Sequence, residues 1–565
     1  MKKTLFISIS IMLFIYASRC SDTSFGNDLW DNVTSSKITS DKQITSFSIN
    51  GYKARITGTT VKSVLPYGAS VTALTPVITH NGASISPESG TAQNFSSPVT
   101  YTVTATDGTT EQYTVSVTVL DAAGMKNANL SVLRVKKGKL QPALNDSIKD
   151  YLDAPIPFSD SANPAYNDKQ SNSLIADPEI LIATMKMELE SNGKVSVENA
   201  TEHVFPEIEV GPNKVTIIVT AADKTTTKKY TVTMYRAIPI FKTGAGSYSG
   251  MNPLEDGATQ RGVSWPYPRF QDNGNGTVSD LMTGLMWLKD AKMITSQYPF
   301  GNAVMEAQYI TGFCGYYDWY LPNINEMRSL ANYGQIGNEY LSSFFSNCSS
   351  TDNWWTSTSF PNNPGLNAYS FDMNANTITT SNKTSTFCVW AVRGNSKVLS
   401  KTSQTVMYTS GDDGDLEKGV DWPTPRFHTT TSGTIVDNMT SLMWFPCDDS
   451  TSRTWNDSIS FIKNTINSDT LGSNFGYNDW SIPNTNQMLT LMNYGESNLN
   501  TWLNSNGFSL SSDTIYWTST SGNITPSNFA IRIDFDNQSQ FTFFKSTPYK
   551  ILPVRLIKPS ELINY

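Results

Sequence analysis

Chemistry in a protein needs nucleophiles, bases or metal ligands brought close together, and this chain is poor in all three. It has three histidines and no His-Glu-x-x-His pattern, so a histidine metal site or a Ser-His-Asp relay has little raw material. Beyond Cys20 the cysteines are Cys314, Cys348, Cys388 and Cys447. None lies in a Cys-x-x-Cys pair, which weakens zinc and thioredoxin-like readings. Asp272, Asn273 and Asn275 carry oxygens suited to calcium, but the matching place in a later repeat holds His428-Thr-Thr-Thr-Ser432, and a hairpin turn explains them better. Trp455-Asn456-Asp457 imitates the calcium tripeptide of lectins, yet it stands ahead of a predicted helix and is set aside. What remains are groups that bind rather than react. Trp354, Tyr316 and Tyr317 have rings that can stack on a sugar face. We expect no catalytic residue, no metal and no cofactor.

The elements that must position such groups begin with an export signal. Lys2 and Lys3 precede an apolar run from Leu5 to Tyr16, and Ala17-Ser18-Arg19-Cys20 follows. The run is too short to span a bilayer, and a Cys directly after it is similar to a lipoprotein lipobox, with Arg19 a departure from the usual small residue. The expectation is a signal peptide over residues 1–20, lipidation of Cys20, and attachment to the outer membrane or cell surface. Residues 21–42, rich in Ser, Asp, Thr and Asn, read as a tether. A net charge of −8 without a Lys/Arg stripe argues against a nucleic-acid partner. At 565 residues the chain needs several cores.

Two stretches follow with period-two apolar spacing. Val99, Tyr101, Val103 and Ala105 run into Asp107-Gly108, and Tyr113, Val115, Val117 and Val119 answer them, the signature of a hairpin. The same ending recurs as Val215, Ile217, Val219 and Ala221, then Asp223-Lys224, then Tyr230, Val232 and Met234. We read β-sandwich domains at 43–121 and 126–237. Leu130-Ser-Val-Leu133-Arg-Val135, Leu140-Gln-Pro142-Ala-Leu144 and Tyr151 resemble the bacterial cadherin-like β-sandwich family, and the first domain resembles bacterial immunoglobulin-like surface modules. Neither resemblance brings an Asp/Glu cluster that would hold calcium.

Residues 245–397 and 403–560 are one unit written twice. Trp265-Pro266-x-Pro268-Arg269-Phe270 recurs as Trp422-Pro423-x-Pro425-Arg426-Phe427, and Leu285-Met286-Trp287 as Leu442-Met443-Trp444. Asp318-Trp319-x-x-Pro322-Asn323 recurs as Asp479-Trp480-x-x-Pro483-Asn484. Trp355-Thr-Ser-Thr-Ser359 recurs as Trp517-Thr-Ser-Thr-Ser521, and Val392-Arg393 as Val554-Arg555. Each copy should open with a hairpin, through Asn273-Gly274-Asn275-Gly276 in the first. Short helices should follow near Ser458–Ile466, capped by Asn456 or Asp457, and over Asn325–Asn332, with the Trp-Thr-Ser-Thr stretches as strands. The shared tryptophans read as buried core, Asp318/Asp479 and Asn323/Asn484 as turn or cap residues, and Arg393/Arg555 as partners of a buried carboxylate.

These motifs, with the Gly-Asp-Asp-Gly-Asp run at 411–415, resemble the family once called domain of unknown function 1566, now named for the C-terminal domain of the Legionella collagen-like adhesin, Lcl. The resemblance implies an α+β fold related to C-type-lectin-like and formylglycine-generating-enzyme-like domains, and glycosaminoglycan binding in the namesake. Here the first copy ends in Cys388-Val-Trp-Ala-Val-Arg393 and the second lacks the Cys, so no disulfide is essential to the shared fold. Four thiols permit three complete pairings, of which Cys314–Cys388 is the one we favour. The functional expectation is a surface lipoprotein, an adhesin that binds glycans or an extracellular protein through tandem lectin-like domains. A structural envelope protein is the alternative, and a formylglycine-type enzyme a remote one.

Overall fold

Alternation of apolar and polar residues builds the N-terminal half by burying one face of each strand. In the computed structural model, which describes residues 39–135, 140–141, 144, 150–153, 170–190, 194–196, 202–335, 339–348, 352–448, 451–468, 474–522 and 526–557, this pattern yields two sandwiches. The signal segment, Cys20 and most of the tether lie outside the described residues. Among the described residues no helix is long and apolar enough to cross a membrane.

The chain divides into two compact units, 1–125 and 126–565. In the first, strand Val99–Thr104 pairs antiparallel with Thr110–Val119, placing Tyr101 opposite Tyr113 across the Asp107-Gly108 turn. Thr60–Leu65 joins the other side of Thr110–Val119 in parallel, giving a five-stranded sheet that faces a three-stranded one. Phe47, Ile49, Val61, Tyr101, Val103 and Val115 fill the space between.

The second unit opens with the other sandwich, of six and three strands. Strands Gly211–Thr220 and Thr227–Arg236 form its long hairpin, and Val215, Ile217, Val219, Tyr230, Val232 and Met234 are all buried. This sandwich is fixed to the second C-terminal copy. The Tyr235 hydroxyl donates to the carbonyl of Asp421 at 2.8 Å, Ile238 N–H donates to Met439, and both side chains pack on Val420.

Each C-terminal copy combines a four-stranded sheet, a three-stranded sheet and short helices. In copy 1 Phe270–Asp272, Thr277–Asp280, Met286–Leu288 and Val392–Arg393 form the first sheet; Asn353–Ser359, Asn367–Asp372 and Thr377–Asn382 form the second. Copy 2 repeats both strand orders. The shared tryptophans are core: Trp287, Trp444, Trp355 and Trp517 are fully buried, and Trp319 and Trp480 nearly so. Asn323 and Asn484 cap the helices Ile324–Arg328 and Thr485–Leu489 with complete capping boxes, closed by Glu326 and Gln487. The helix Trp455–Phe461 is capped by Thr454 and not by Asn456 or Asp457, which lie inside it.

Two features of the repeat are not apparent from spacing alone. The Trp-Pro-x-Pro-Arg-Phe arginine forms a buried bidentate pair with the aspartate of the returning strand, Arg269 with Asp280 and Arg426 with Asp437. The copies are also not two separate globules, because their cores merge into a single buried cluster. Each is preceded by an arm, residues 240–263 and 399–420, which doubles back so that Phe241 bridges Val263 and Ser400 bridges Val420. The reversal requires Gly262 and Gly419, whose φ values are +118° and +119° and where a Cβ would strike backbone. Each arm docks on the opposite copy. Thr520 of copy 2 donates to Asp256 of arm 1 at 2.8 Å, and Thr358 of copy 1 donates to Asp413 of arm 2 at 2.7 Å. Asn486 donates to the carbonyl of Phe241, and Asn325 to that of Ser400. Contacts that recur with the roles exchanged define a two-fold interface, here within one chain.

Candidate functional site

The residues singled out for binding meet different fates. Trp354 is fully buried, its ring packed 5.4 Å from Trp390, so it is corrected from a sugar platform to a core residue. Its strand neighbour Trp355 is buried too, because at this point both faces of the strand are covered. Tyr316 is half-buried beneath the Arg393 guanidinium, 3.7 Å from its ring centre, and the same arrangement holds Tyr477 under Arg555. Those arginines pair with Asp318 and Asp479, so the acids read as turn residues serve as ion-pair partners. The Arg393 charge holds the Asp318 carboxyl below its usual range. Of the three residues, Tyr317 alone stands free, 75% exposed.

The expected Cys314–Cys388 disulfide is not formed. Cys314 sits in a turn with φ of +54° and its thiol donates to the Asn275 carbonyl at 2.6 Å. Cys388 is buried beside the Asn353–Ser359 strand, where Gln297 approaches its sulfur at 3.6 Å and burial raises its thiol pKa. The turn conformation at Cys314 recurs at Phe475 with φ of +55°, so it belongs to the shared scaffold. Asp272 pairs with Lys289 at 2.6 Å in the opening hairpin, and among the described residues no cluster of His, Cys, Asp or Glu could hold a metal.

The candidate surface lies where the copies differ. In copy 2 the strands Phe529–Asp534 and Ser539–Phe544 set Arg532 directly opposite Phe541. Alternation places Phe543 on the same face, and Tyr549 closes the group. The Arg532 guanidinium is 4.6 Å from the Phe543 ring centre, 4.9 Å from Tyr549 and 5.4 Å from Phe541. All four side chains are half-buried, and among the described residues no carboxylate forms an ion pair with Arg532. Phe544 projects 54% exposed at the edge, its ring 4.4 Å from Phe529. In copy 1 the matching positions are Ser370, Thr379 and Ser381, whose hydroxyls bond to one another at 2.9 and 3.2 Å. One copy thus carries a closed hydroxyl cluster and the other a cation framed by aromatic rings, a surface able to stack on apolar faces and donate hydrogen bonds to oxygen.

Sequence reasoning passes over this face because it looks for residues near the shared tryptophans. The signal is present: Phe541-Thr-Phe-Phe544 replaces Thr379-Thr-Ser-Asn382 in otherwise matching strands.

Comparison with known families agrees with the repeat. The Lcl C-terminal domain family matches residues 276–393 and again 433–555. This chain carries two Lcl C-terminal domains. The family described as a cadherin-like beta sandwich domain matches residues 163–237, and that described as SGBP, N-terminal, matches 44–117. No curated protein matches the Lcl-domain chain. Among solved structures, a putative glycoside hydrolase from Bacteroides thetaiotaomicron is 15% identical, covering 42% of this chain and 89% of its own, with a TM-score of 0.15. Fibronectin(III)-like modules of Clostridium thermocellum CbhA are 11% identical, covering 34% and 94%, with a TM-score of 0.11.

Proposed function

We propose that this protein is a surface glycan-binding protein that acts without catalysis. The observation that carries the reading is the Arg532 face with Phe541, Phe543 and Tyr549, present in one Lcl copy and replaced by a hydroxyl cluster in the other. Residues shared by both copies explain the fold; an aromatic and cationic face that only one copy keeps half-exposed needs another reason. The match of residues 44–117 to the family described as SGBP, N-terminal, supports the same class. We further propose a lipid anchor at Cys20 and display at the outer membrane or cell surface, on the strength of the Lys2-Lys3 and Leu5–Tyr16 pattern. The short helices flanking two small antiparallel sheets in each copy support a C-type-lectin-like α+β class. Against formylglycine-type chemistry stands the absence of a cysteine pair repeated in both copies.

Sugar contacts are individually weak, in the range of about −4 to −6 kcal/mol for millimolar to high-micromolar ligands. Loss of two contacting side chains should therefore be plain. An oligosaccharide array probed with the purified protein should show one or more bound classes, with affinity lowered about tenfold or more by the pair Arg532→Ala and Phe543→Ala. A blank array across neutral, amino and acidic sugars would end the glycan reading and leave the structural-envelope one. The net charge of −8 predicts weak retention on heparin in low salt.

A further inference from the structure

Where the two arms begin, they and the two asparagine-capped helices wall a cavity of about 80 Å³. Phe241, Trp265, Met282 and Val398 give it apolar sides, and Lys242 and Arg328, both half-buried, give it two cations. Among the described residues no Asp or Glu lines it, although the chain carries a net charge of −8.

The duplication shows that these cations lack what their counterparts have. Lys242 and Lys401 occupy equivalent points: each N–H donates across its arm, to Val263 or Val420, and each carbonyl accepts from an indole, Trp265 or Trp422. Lys401 is neutralised twice, by Asp421 at 2.7 Å and by Glu417 at 3.3 Å. The residues matching those acids in arm 1 are Ser264 and Gln260. Among the described residues no carboxylate pairs with Lys242. Arg328 stands where the matching helix has Leu489. Its Nη1 reaches the Leu489 carbonyl at 3.4 Å and the Tyr494 hydroxyl at 3.5 Å, both long for a charged donor. The neutral donors nearby are mostly spent within the protein. Asn325 and Asn486 donate to the arm carbonyls of Ser400 and Phe241, and the Ser329 and Thr490 hydroxyls donate to Glu326 and Gln487.

We propose that this cavity binds a small organic carboxylate, its oxygens against Arg328 and Lys242 and its hydrocarbon part against Trp265 and its apolar neighbours. A planar carboxylate matches a guanidinium fork and has no further polar atoms to satisfy. Phosphate or sulfate would turn extra oxygens towards apolar walls, and a sugar acid would bring ring hydroxyls that meet no partner there. The cavity shares no lining residue with the Arg532 face, and the inference stands independently of the glycan reading. Because both arms wall the cavity, an occupant touches each of them, and binding to the folded form alone stabilises it.

The test titrates the purified protein, at constant ionic strength, with sodium benzoate and sodium butyrate beside benzamide and butyramide, which keep the shape and lose the charge. Melting temperature and ligand NMR line broadening report binding. At least one carboxylate should bind in roughly the millimolar range, and its amide about tenfold more weakly or worse. Arg328→Leu installs the residue of the matching helix, so it should fold as the wild type does and weaken binding about tenfold or more. Lys242→Gln should weaken it by about threefold or more, and it decides alone if Arg328→Leu fails to fold. Inorganic phosphate should bind less well than the carboxylate. No binding of either carboxylate, equal binding of the amide or of phosphate, or undiminished binding to both variants overturns the inference. So does a carboxylate site that survives Arg328→Leu and is lost in Arg532→Ala, which would place the anion on the aromatic face of copy 2.

Discussion

Copy 1 and copy 2 share a scaffold down to individual hydrogen bonds, and they part company at a few surfaces. Both bury the arginine–aspartate pair, both cap a helix with the asparagine of Trp-x-x-Pro-Asn, and both offer the fourth residue of Trp-Thr-Ser-Thr-Ser to the other copy's arm. They differ at Glu326 against Gln487, at Gln404 against Ala245, and at Ser370-Thr379-Ser381 against Arg532-Phe541-Phe543. A duplicated domain is its own control: what is kept twice holds the fold, and a half-exposed face that one copy alone has, such as that around Arg532, is free to bind.

The hardest break of that shared scaffold is at its buried ion pair. Arg269 and Asp280 are almost wholly out of solvent, and Asp280 also accepts from the N–H of Met282 and the hydroxyl of Thr283. Replacing Arg269 with Met strands a buried carboxylate, and we expect a loss of about 3–5 kcal/mol in urea unfolding. Arg426→Met should cost a similar amount in copy 2. A loss under about 1 kcal/mol in either would show that the pair is not what fixes the opening hairpin.

Exchange of arms is tested next. Removing the Thr358 hydroxyl with Thr358→Val takes a hydrogen bond from the buried Asp413, and Thr520→Val does the same for Asp256. Each should cost about 1–3 kcal/mol. The double variant should show coupling beyond the sum if the two contacts lock one interface. Strict additivity in a double-mutant cycle would argue that each arm docks independently.

Much of this architecture is legible in the sequence, and the reasons it is or is not are physical. Period-two spacing around Asp107-Gly108 announces its hairpin because a strand's side chains alternate regardless of context. The asparagine caps and the core tryptophans follow from local rules and from size. Arm exchange does not, since nothing in a linear motif says which of two identical acceptors its aspartate will meet. Trp354 misleads for a related reason. A residue beside a known core position is expected to face outward by alternation, but Trp390 and the merged core cover that face too.

The copies should also answer pH differently. Burial pushes the Glu326 carboxyl up to about 7, and burial likewise raises Asp413, which docks beside it from arm 2, to about 7. A folded-state pKa above the unfolded one means the native protein holds protons the unfolded chain has released. Stability is then full below the ordinary carboxylate range and falls as pH rises towards 7. Gln487 fills the same cap in copy 2 without a titrating group. Glu326→Gln should therefore flatten the decline between about pH 4.5 and pH 7, by on the order of 2–3 kcal/mol. An unchanged slope in denaturation midpoint against pH would place the titrating group elsewhere.

The smallest effect is expected at Tyr317, and it sharpens the distinction between exposure and function. Its ring is open to solvent, yet it has no counterpart of the frame around Arg532: Tyr316 beside it is covered by Arg393, and copy 2 has Asn478 in its place. A lone aromatic ring offers one stacking face without a fixed donor nearby to orient a sugar, and ordering it on binding consumes much of the gain. Tyr317→Ala should leave stability within about 0.5 kcal/mol. It should weaken glycan binding by less than about threefold, where loss of Phe543 and Arg532 together costs tenfold or more. If instead Tyr317→Ala erased binding and the Arg532 pair did not, the ligand would be seated on copy 1, and the rule that the divergent aromatic face marks the site would be wrong for this pair of domains.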